Sequence, residues 1–489
     1  MSTFGGLNTA YTGLVAARQG LEVVGQNIAN ANTDGYTRQR VTTSAVDAAA
    51  RIGLMSATVG PGQGVSVDGI ARLGSASLDA QVRSSAAVAG YSAVRANALS
   101  AVEVSMNEPG ESGLSAQLQE FWAGWHGVAN SAGDTAPAGV LLSRAEVLTG
   151  QISAGYQAVA AQWSTERASV DSMVAEINGT AGQVAELNYR IRQTVAGGGT
   201  ANELIDQRNL LTTSLAALTG GSVVDRTDGT VDVLVGGNAL VSGDSARALI
   251  ARGARTLDGP NGLTDPAGTT GPVRVEWVDR AGSIGIDGGE LAGSLSLLAE
   301  ADAGGTGGSL AEAAATYNTF ATNLAAKVNA VYSTGNNSTL PGGAFFATSA
   351  LGPAALGLSV TPTTAAELTT GLALNGALDG SIADQIAQLG AGKAVDGAGN
   401  PVRSPSADWS DFVTSLAVKT KGELRQASLA DVTATTAVNA QLANSSVDLD
   451  EENVNLLMFQ HAYQGAARVL TAVDEMLDTL INRTGLVGR

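Results

Sequence analysis

The sequence predicts an α+β fold: terminal heptad helices pairing as a coiled coil, a long-helix bundle in the middle, and two β-rich inserts at the far end. Three observations carry this. Apolar residues recur at alternating steps of three and four at both ends of the chain. A helical pattern runs from Gly139 to Ala196. The period then switches from helical to alternating at Gly220-Gly221.

The N-terminal helix is expected over residues 4–31. Leu7, Leu14, Leu21 and Ile28 recur every seven residues, with Ala10, Ala17, Val24 and Ala31 three after each. The turn formers Asn30-Ala31-Asn32-Thr33-Asp34-Gly35 end it, with Gly35 free to take φ > 0. Tyr36 to Thr43 reads as extended, and Val65 to Ile70 as an alternating strand after the turn at Gly60–Gly64. Those glycines precede a strand and no Lys-Ser/Thr follows them, which argues against a phosphate loop.

Helices follow over Ser77–Met106 and Leu114–Ala129. The second carries Phe121, Trp122, Trp125 and His126, a set that fits a bundle core better than a ligand platform. The stretch Gly139–Ala196 would span ~87 Å at ~1.5 Å per residue as one helix. Gly150, Gly155 and Gly179 are candidate breaks, and Gly197-Gly198-Gly199 ends it. A return helix runs from Asn202 to Leu218, where Asp206 and Arg208 read as a surface or interhelical ion pair rather than as catalysts.

Ser222–Arg226 and Val231–Val235, joined by a Thr227-Asp228-Gly229 turn, form a hairpin signature, and Val273, Val275 and Trp277 alternate in a further strand. Helix returns over Leu291–Tyr332, with a loop at Gly304–Gly308. A second insert has a strand near Leu358–Val360 and a short helix at Ile382–Leu389. Trp409 onward is helical into the last helix, Val447–Asn482, whose seam is Leu456, Phe459, Tyr463, Ala466, Leu470, Val473, Leu477 and Leu480. Asp448 is the expected N-cap, with Glu451 its capping-box partner. Asp450, Glu451 and Glu452 lack EF-hand spacing and complement the helix dipole instead.

The expected domains are therefore a terminal assembly domain (1–43 and 445–489), a helical bundle (44–220, 291–340 and 405–444), a β-rich insert (221–290) and a second small insert (341–404).

Composition excludes several functions. A net charge of −18 argues against nucleic-acid binding. With no cysteine there is no disulfide or thiolate metal site, and His126 and His461 lie far apart, so no metal or cofactor set is expected. No apolar run approaches ~18 residues, so no membrane span is expected, and the N-terminus shows no signal-peptide pattern. A catalytic site would need paired carboxylates or a Ser/His/Asp set, and neither histidine neighbours a candidate nucleophile.

The stretch from Gly6-Leu7-Asn8-Thr9-Ala10 through Asn27-Ile28-Ala29-Asn30 to Asp34-Gly35-Tyr36-Thr37-Arg38 resembles the N-terminal motif of bacterial flagellar rod, hook and hook-associated proteins. Ser446–Glu452, Phe459–Gln464 and Asp474–Asp478 are similar to the first hook-associated protein family. So are Asn188-Tyr189-Arg190-Ile191, Asn202–Arg208, Gly289–Gly293, Val328-Asn329 and Gly342–Phe346.

The resemblance implies a structural, non-enzymatic subunit of the extracellular flagellum, at the junction between hook and filament. It implies self-association into a ring, hook protein on one side and the next hook-associated protein toward the filament. It further implies export through the flagellar type III apparatus and a dedicated chaperone on the C-terminal helix. A hook, rod or filament subunit of the same axial family is the alternative. Leu7, Leu14, Leu21, Asn27, Ile28, Asn30, Gly35 and Tyr36, with the C-terminal seam, are the expected assembly interface. By spacing alone, that seam fits a pair within one chain as well as a contact between neighbours.

Overall fold

The computed structural model of the 489-residue chain describes residues 3–47, 62–257, 271–280, 282–335, 343–349, 351–372, 378–395, 399–479 and 481. The chain starts with helix α1 (Thr3–Ala29), then an antiparallel ribbon of β1 (Gln39–Ala45) and β2 (Val65–Arg72). Gln39 sits opposite Arg72 and Ala45 opposite Val65, with the register shifting between Thr42 and Thr43. The turn into the ribbon needs its glycine. Gly35 has φ +75°, and a Cβ there would come within 2.6 Å of the Leu210 side chain.

The body is a bundle of α2 (Ala76–Ser105), α3 (Leu114–Asn130), α4 (Thr135–Ala196) and α5 (Asn202–Thr219), completed by helices from later in the chain. Helix α4 runs unbroken for 62 residues, about 93 Å at ~1.5 Å per residue. It starts four residues earlier than the pattern suggested, because the Asp134 carboxylate accepts the Ala136 N–H at 3.0 Å.

The three glycines of α4 do not break it. Gly150 and Gly179 sit on its exposed side with open space where a Cβ would be. Gly155 is a packing contact, since a Cβ there would lie 2.5 Å from the Tyr317 ring. Each glycine costs the helix about 1 kcal/mol. A continuous buried stripe offsets this: Leu141, Leu148, Ile152, Val159, Val170 and Ile177 are all essentially fully buried.

After α5 the chain forms a four-stranded antiparallel meander of β3 (Ser222–Asp225), β4 (Val231–Val235), β5 (Asn238–Ser242) and β6 (Ser245–Ala246). The hairpin turn expected at 227–229 joins β3 and β4, with Gly229 at φ +82°. A separate antiparallel pair follows, β7 (Leu249–Arg252) with β8 (Arg274–Trp277).

Helices α6 (Gly289–Leu298) and α7 (Ser309–Tyr332) return to the bundle, separated by the expected glycine loop. Then come β9 (Phe346–Ala347), α8 (Ala354–Gly357), β10 (Ser359–Val360), paired to β9, and α9 (Ser381–Gly390). Helix α10 (Pro405–Ser445) runs back along α2, and α11 (Leu449–Asp478) closes the chain. Arg95 of α2 ties these helices together, donating to Glu423 of α10 at 2.5 Å and to Ser296 of α6 at 2.7 Å.

The first insert lies alongside the bundle instead of being confined to a far end. Polar side chains on the C-terminal half of α4 hold it there. Asn178 donates to the Leu249 carbonyl and accepts its N–H. Asn188 does the same for Val231, and Arg167 donates to the Ala254 carbonyl. The second insert packs on α3, where Gly380 meets Ala129 and Gly390 meets Trp122, and its Gly352 and Pro353 line one cavity with Gly271, Pro272 and Val273 of the first. Satisfying strand backbone groups from the helix requires the insert to lie beside it.

The aromatic spot on α3 is part of the bundle core. Trp125 packs on Phe345 at 5.0 Å between ring centroids and Phe121 on Trp122 at 4.7 Å, while His126 is exposed. Among the described residues no helix is long and apolar enough to cross a membrane, and no group of three or more His, Cys, Asp or Glu residues is placed to hold a metal ion.

Candidate assembly interface

Helices α1 and α11 form an antiparallel arm at one end of the body. Gly20 receives the ring of Phe459, and the Asn27 amide donates to Glu452 at 3.2 Å. These two contacts, seven residues apart on each helix, fix the register. The seam predicted on α11 therefore faces α1 of the same chain. Val473 is buried, Leu456, Phe459, Leu470 and Leu477 are half-buried, and Tyr463 is 38% exposed. Leu480 lies outside the described residues.

On α1 the buried line is Ala10, Ala17, Gly20, Val24 and Asn27. Leu7, Leu14, Leu21 and Ile28 flank it and are half-buried. Small residues lie beneath α11 because the two backbones approach closely enough for Phe459 to occupy the space a Gly20 side chain would need.

The base of the arm is polar, and sequence reasoning saw only fragments of it. The Asn27 side chain donates to the Gln39 carbonyl (2.9 Å) and accepts the Gln39 N–H and the Tyr36 hydroxyl. Asn30 stays local, donating to the Gln26 carbonyl and accepting the Thr33 hydroxyl. Burial pushes the Tyr36 phenol up to about 12, helped by the nearby Glu203, Asp206 and Glu452 carboxylates.

Asp448 caps α11, accepting the N–H groups of Asp450 and Glu451. Glu451 is not tied up in a capping box. It and the buried Glu452 both bind Arg38, at 2.8 and 2.7 Å. The Glu451 bond raises the Arg38 guanidinium above its usual value, and the same bond holds Glu451 below the ordinary carboxylate range.

The arm meets the body at Asp206. Its buried carboxylate accepts the Thr37 N–H at 3.0 Å and the Arg72 Nε at 2.5 Å. Arg72 also faces Asp79 at 3.8 Å, and Asp79 in turn accepts Asn209 and Gln441 side chains. Gln39 links to Glu203 and Asn202, and the Arg38 N–H donates to the Ser445 carbonyl.

Asp206 and Arg208 thus do not pair with each other. Arg208, two residues on, points into the bundle, where it donates to Asn188 and the Gly229 carbonyl and burial lowers its pKa to about 10. The grouping of Asn202, Glu203 and Asp206 on one side of α5 was the available sequence signal for this joint.

The arm and joint carry the sequence features of flagellar axial proteins, and comparison with known families agrees. A family model for the flagella basal body rod protein matches residues 7–37, and one for the flagellar basal body rod FlgEFG protein C-terminal matches residues 439–483. The class is therefore that of flagellar axial proteins. Residues 99–346 match the flagellar hook-associated protein FlgK helical domain, half of the chain, and the chain belongs to that hook-associated protein family.

Flagellar hook-associated protein 1 of Bacillus subtilis (strain 168) is 29% identical over 526 aligned positions that cover all of both chains. Its namesake in Salmonella typhimurium is 33% identical over 57% of this chain and 48% of its own length. The structure of the flagellar hook junction protein FlgK from Burkholderia pseudomallei aligns over 56% of this chain and 47% of that one, with 25% identity and a TM-score of 0.44.

Proposed function

We propose that this chain is a structural, non-catalytic subunit of the bacterial flagellum that connects hook to filament. The family membership carries this reading, supported by the arm whose two helices come from opposite ends of the chain. In this reading α1 and α11 form a coiled-coil arm that packs along the flagellar axis, with Leu7, Leu14, Leu21, Ile28 and the α11 seam holding the two helices together. The joint built on Asn27, Gly35 and Tyr36 sets the arm's angle to the body, with Asn30 bracing the turn that leads into it. The bundle domain and the two inserts form the outer part of the subunit.

Copies associate into a ring, with hook protein on one side and the next hook-associated protein on the other. A chaperone covers α11 before assembly, and the flagellar type III apparatus exports the chain to the cell exterior. Deletion of the gene tests the reading: hooks present with filaments missing is the expected phenotype. Missing hooks would point instead to a hook or rod subunit.

A further inference from the structure

Strand β3 of the first insert has an open edge. It pairs with β4 on one side, and the Arg226 N–H beyond its end donates to the Thr230 carbonyl. In an antiparallel pair that phase turns the backbone groups of Ser222 and Val224 toward β4 and those of Val223 and Asp225 away from it. Among the described residues the outward groups have no backbone partner. A bare edge is a template for another strand.

Beside this edge lies a cavity of about 590 Å³, walled by Ala80, Arg83 and Ala87 of α2, by Val223, and by the Gly236-Gly237 turn. Arg83 is half-buried there and forms no hydrogen bond or ion pair with a described residue. Burial pushes its guanidinium below the usual value, and Asp79 and Asp225 oppose this only through space. Asp79 is already engaged by Arg72, Asn209 and Gln441. The acceptor that suits a desolvated, unpaired guanidinium is a carboxylate. Ser84 and Val88 carry the cavity over α2 into a shallow groove against Leu429 of α10, where Val88 is 49% and Leu429 59% exposed. That groove suits a bulky apolar side chain next to the acid.

The described strands of this chain supply no such acid to a second copy. Asp68 accepts the Ser44 hydroxyl, Asp232 the Arg226 guanidinium and Glu276 the Arg274 guanidinium, while Asp225 belongs to the open edge itself. The occupant is therefore a different protein.

We propose that the groove between α2 and β3 seats an extended segment of a different protein, its backbone paired with Val223 and Asp225 and its aspartate or glutamate on Arg83. The segment carries an apolar residue beside that acid, directed toward Val88 and Leu429. This docking site lies on the body of the molecule, apart from the arm.

Peptide binding to the full-length chain tests the chemistry. The probes are the blocked pentapeptide Val-Thr-Asp-Leu-Val and its counterparts with Asn or Lys in the middle, with hydrogen exchange reading the β3 amides. The aspartate peptide should slow exchange at Val223 and Asp225 and bind about tenfold more tightly than the other two, the worth of one charge-assisted hydrogen bond. Arg83→Gln should erase that preference and Arg83→Lys should keep part of it. Ser84→Trp, at an exposed position, should block the peptides with Arg83 still in place. No binding of the aspartate peptide, equal binding of all three, or an unchanged preference in Arg83→Gln overturns the proposal.

A photo-cross-link identifies the source. The photoreactive residue p-benzoylphenylalanine is placed at position 88, and isolated flagella are irradiated. The expected product joins position 88 to a different protein at a residue beside an aspartate or glutamate. A link within the chain, a link to a second copy, or incorporated chain with no link overturns the proposal while leaving the flagellar reading intact. Wild-type chain absent from isolated flagella would overturn that reading instead, with the peptide result unaffected.

Discussion

Asp206 is the residue on which the arm's attachment depends most, and Asp206→Ala tests that directly. The substitution leaves the Thr37 N–H without its acceptor and takes one of two carboxylates from the Arg72 guanidinium. Removing one partner of a buried ion pair costs about 3–5 kcal/mol, and orphaning a buried N–H about 1–3 kcal/mol. Arg72 is 18% exposed and keeps Asp79 at 3.8 Å, so water and the second acid reduce the loss. The expected cost of holding the arm to the body is about 2–4 kcal/mol.

Native-state hydrogen exchange on the full chain reads this locally. Exchange of amides in the β1–β2 ribbon should accelerate by roughly 30- to 1000-fold, since each 1.4 kcal/mol is a factor of about ten. Amides in the middle of α4 should be unchanged. If ribbon and arm keep wild-type protection in Asp206→Ala, the joint does not depend on this carboxylate and the reasoning fails.

Other outcomes follow from the same geometry. Gly20→Ala should destabilise the arm by about 1–3 kcal/mol because its Cβ would overlap the Phe459 ring, despite better helix propensity. Gly25→Ala, where the space is open, should stabilise it by about 0.5–1 kcal/mol, and thermal melts of the two variants should move in opposite directions. Leu470→Asp with Leu477→Asp should separate α11 from α1, so limited proteolysis should remove residues beyond about 446 while the bundle stays intact; an arm as protease-resistant as wild type would contradict the packing.

The Arg38 bond depresses the Glu451 pKa in the folded chain below its ordinary value of 4.5. Its stabilisation is therefore complete above that value and lost as pH falls through the folded value. Glu451→Gln should weaken the arm at neutral pH and flatten that acid-side loss in a pH series of melts.

The sequence by itself determined the elements. The heptad steps located α1 and α11, alternation located the β3–β4 hairpin, and Asp448 marked the start of α11, because each signal lies within a few turns of chain. Only the tertiary structure decided what those elements meet. Local propensity makes the glycines of α4 candidate breaks, since it cannot see the packed stripe that outweighs it. The position of the first insert depends on Asn178 and Asn188 reaching strand backbone, a contact that no local pattern marks.

The joint was legible only in fragments for the same reason. Thr37 and Asp206 are 169 residues apart, and Arg38 and Glu452 are 414 apart. Hydrogen bonds and charges over such separations leave no period in the sequence. The heptad pattern on α11 showed that a helix would be covered; the fold decided that the cover is α1 of the same chain.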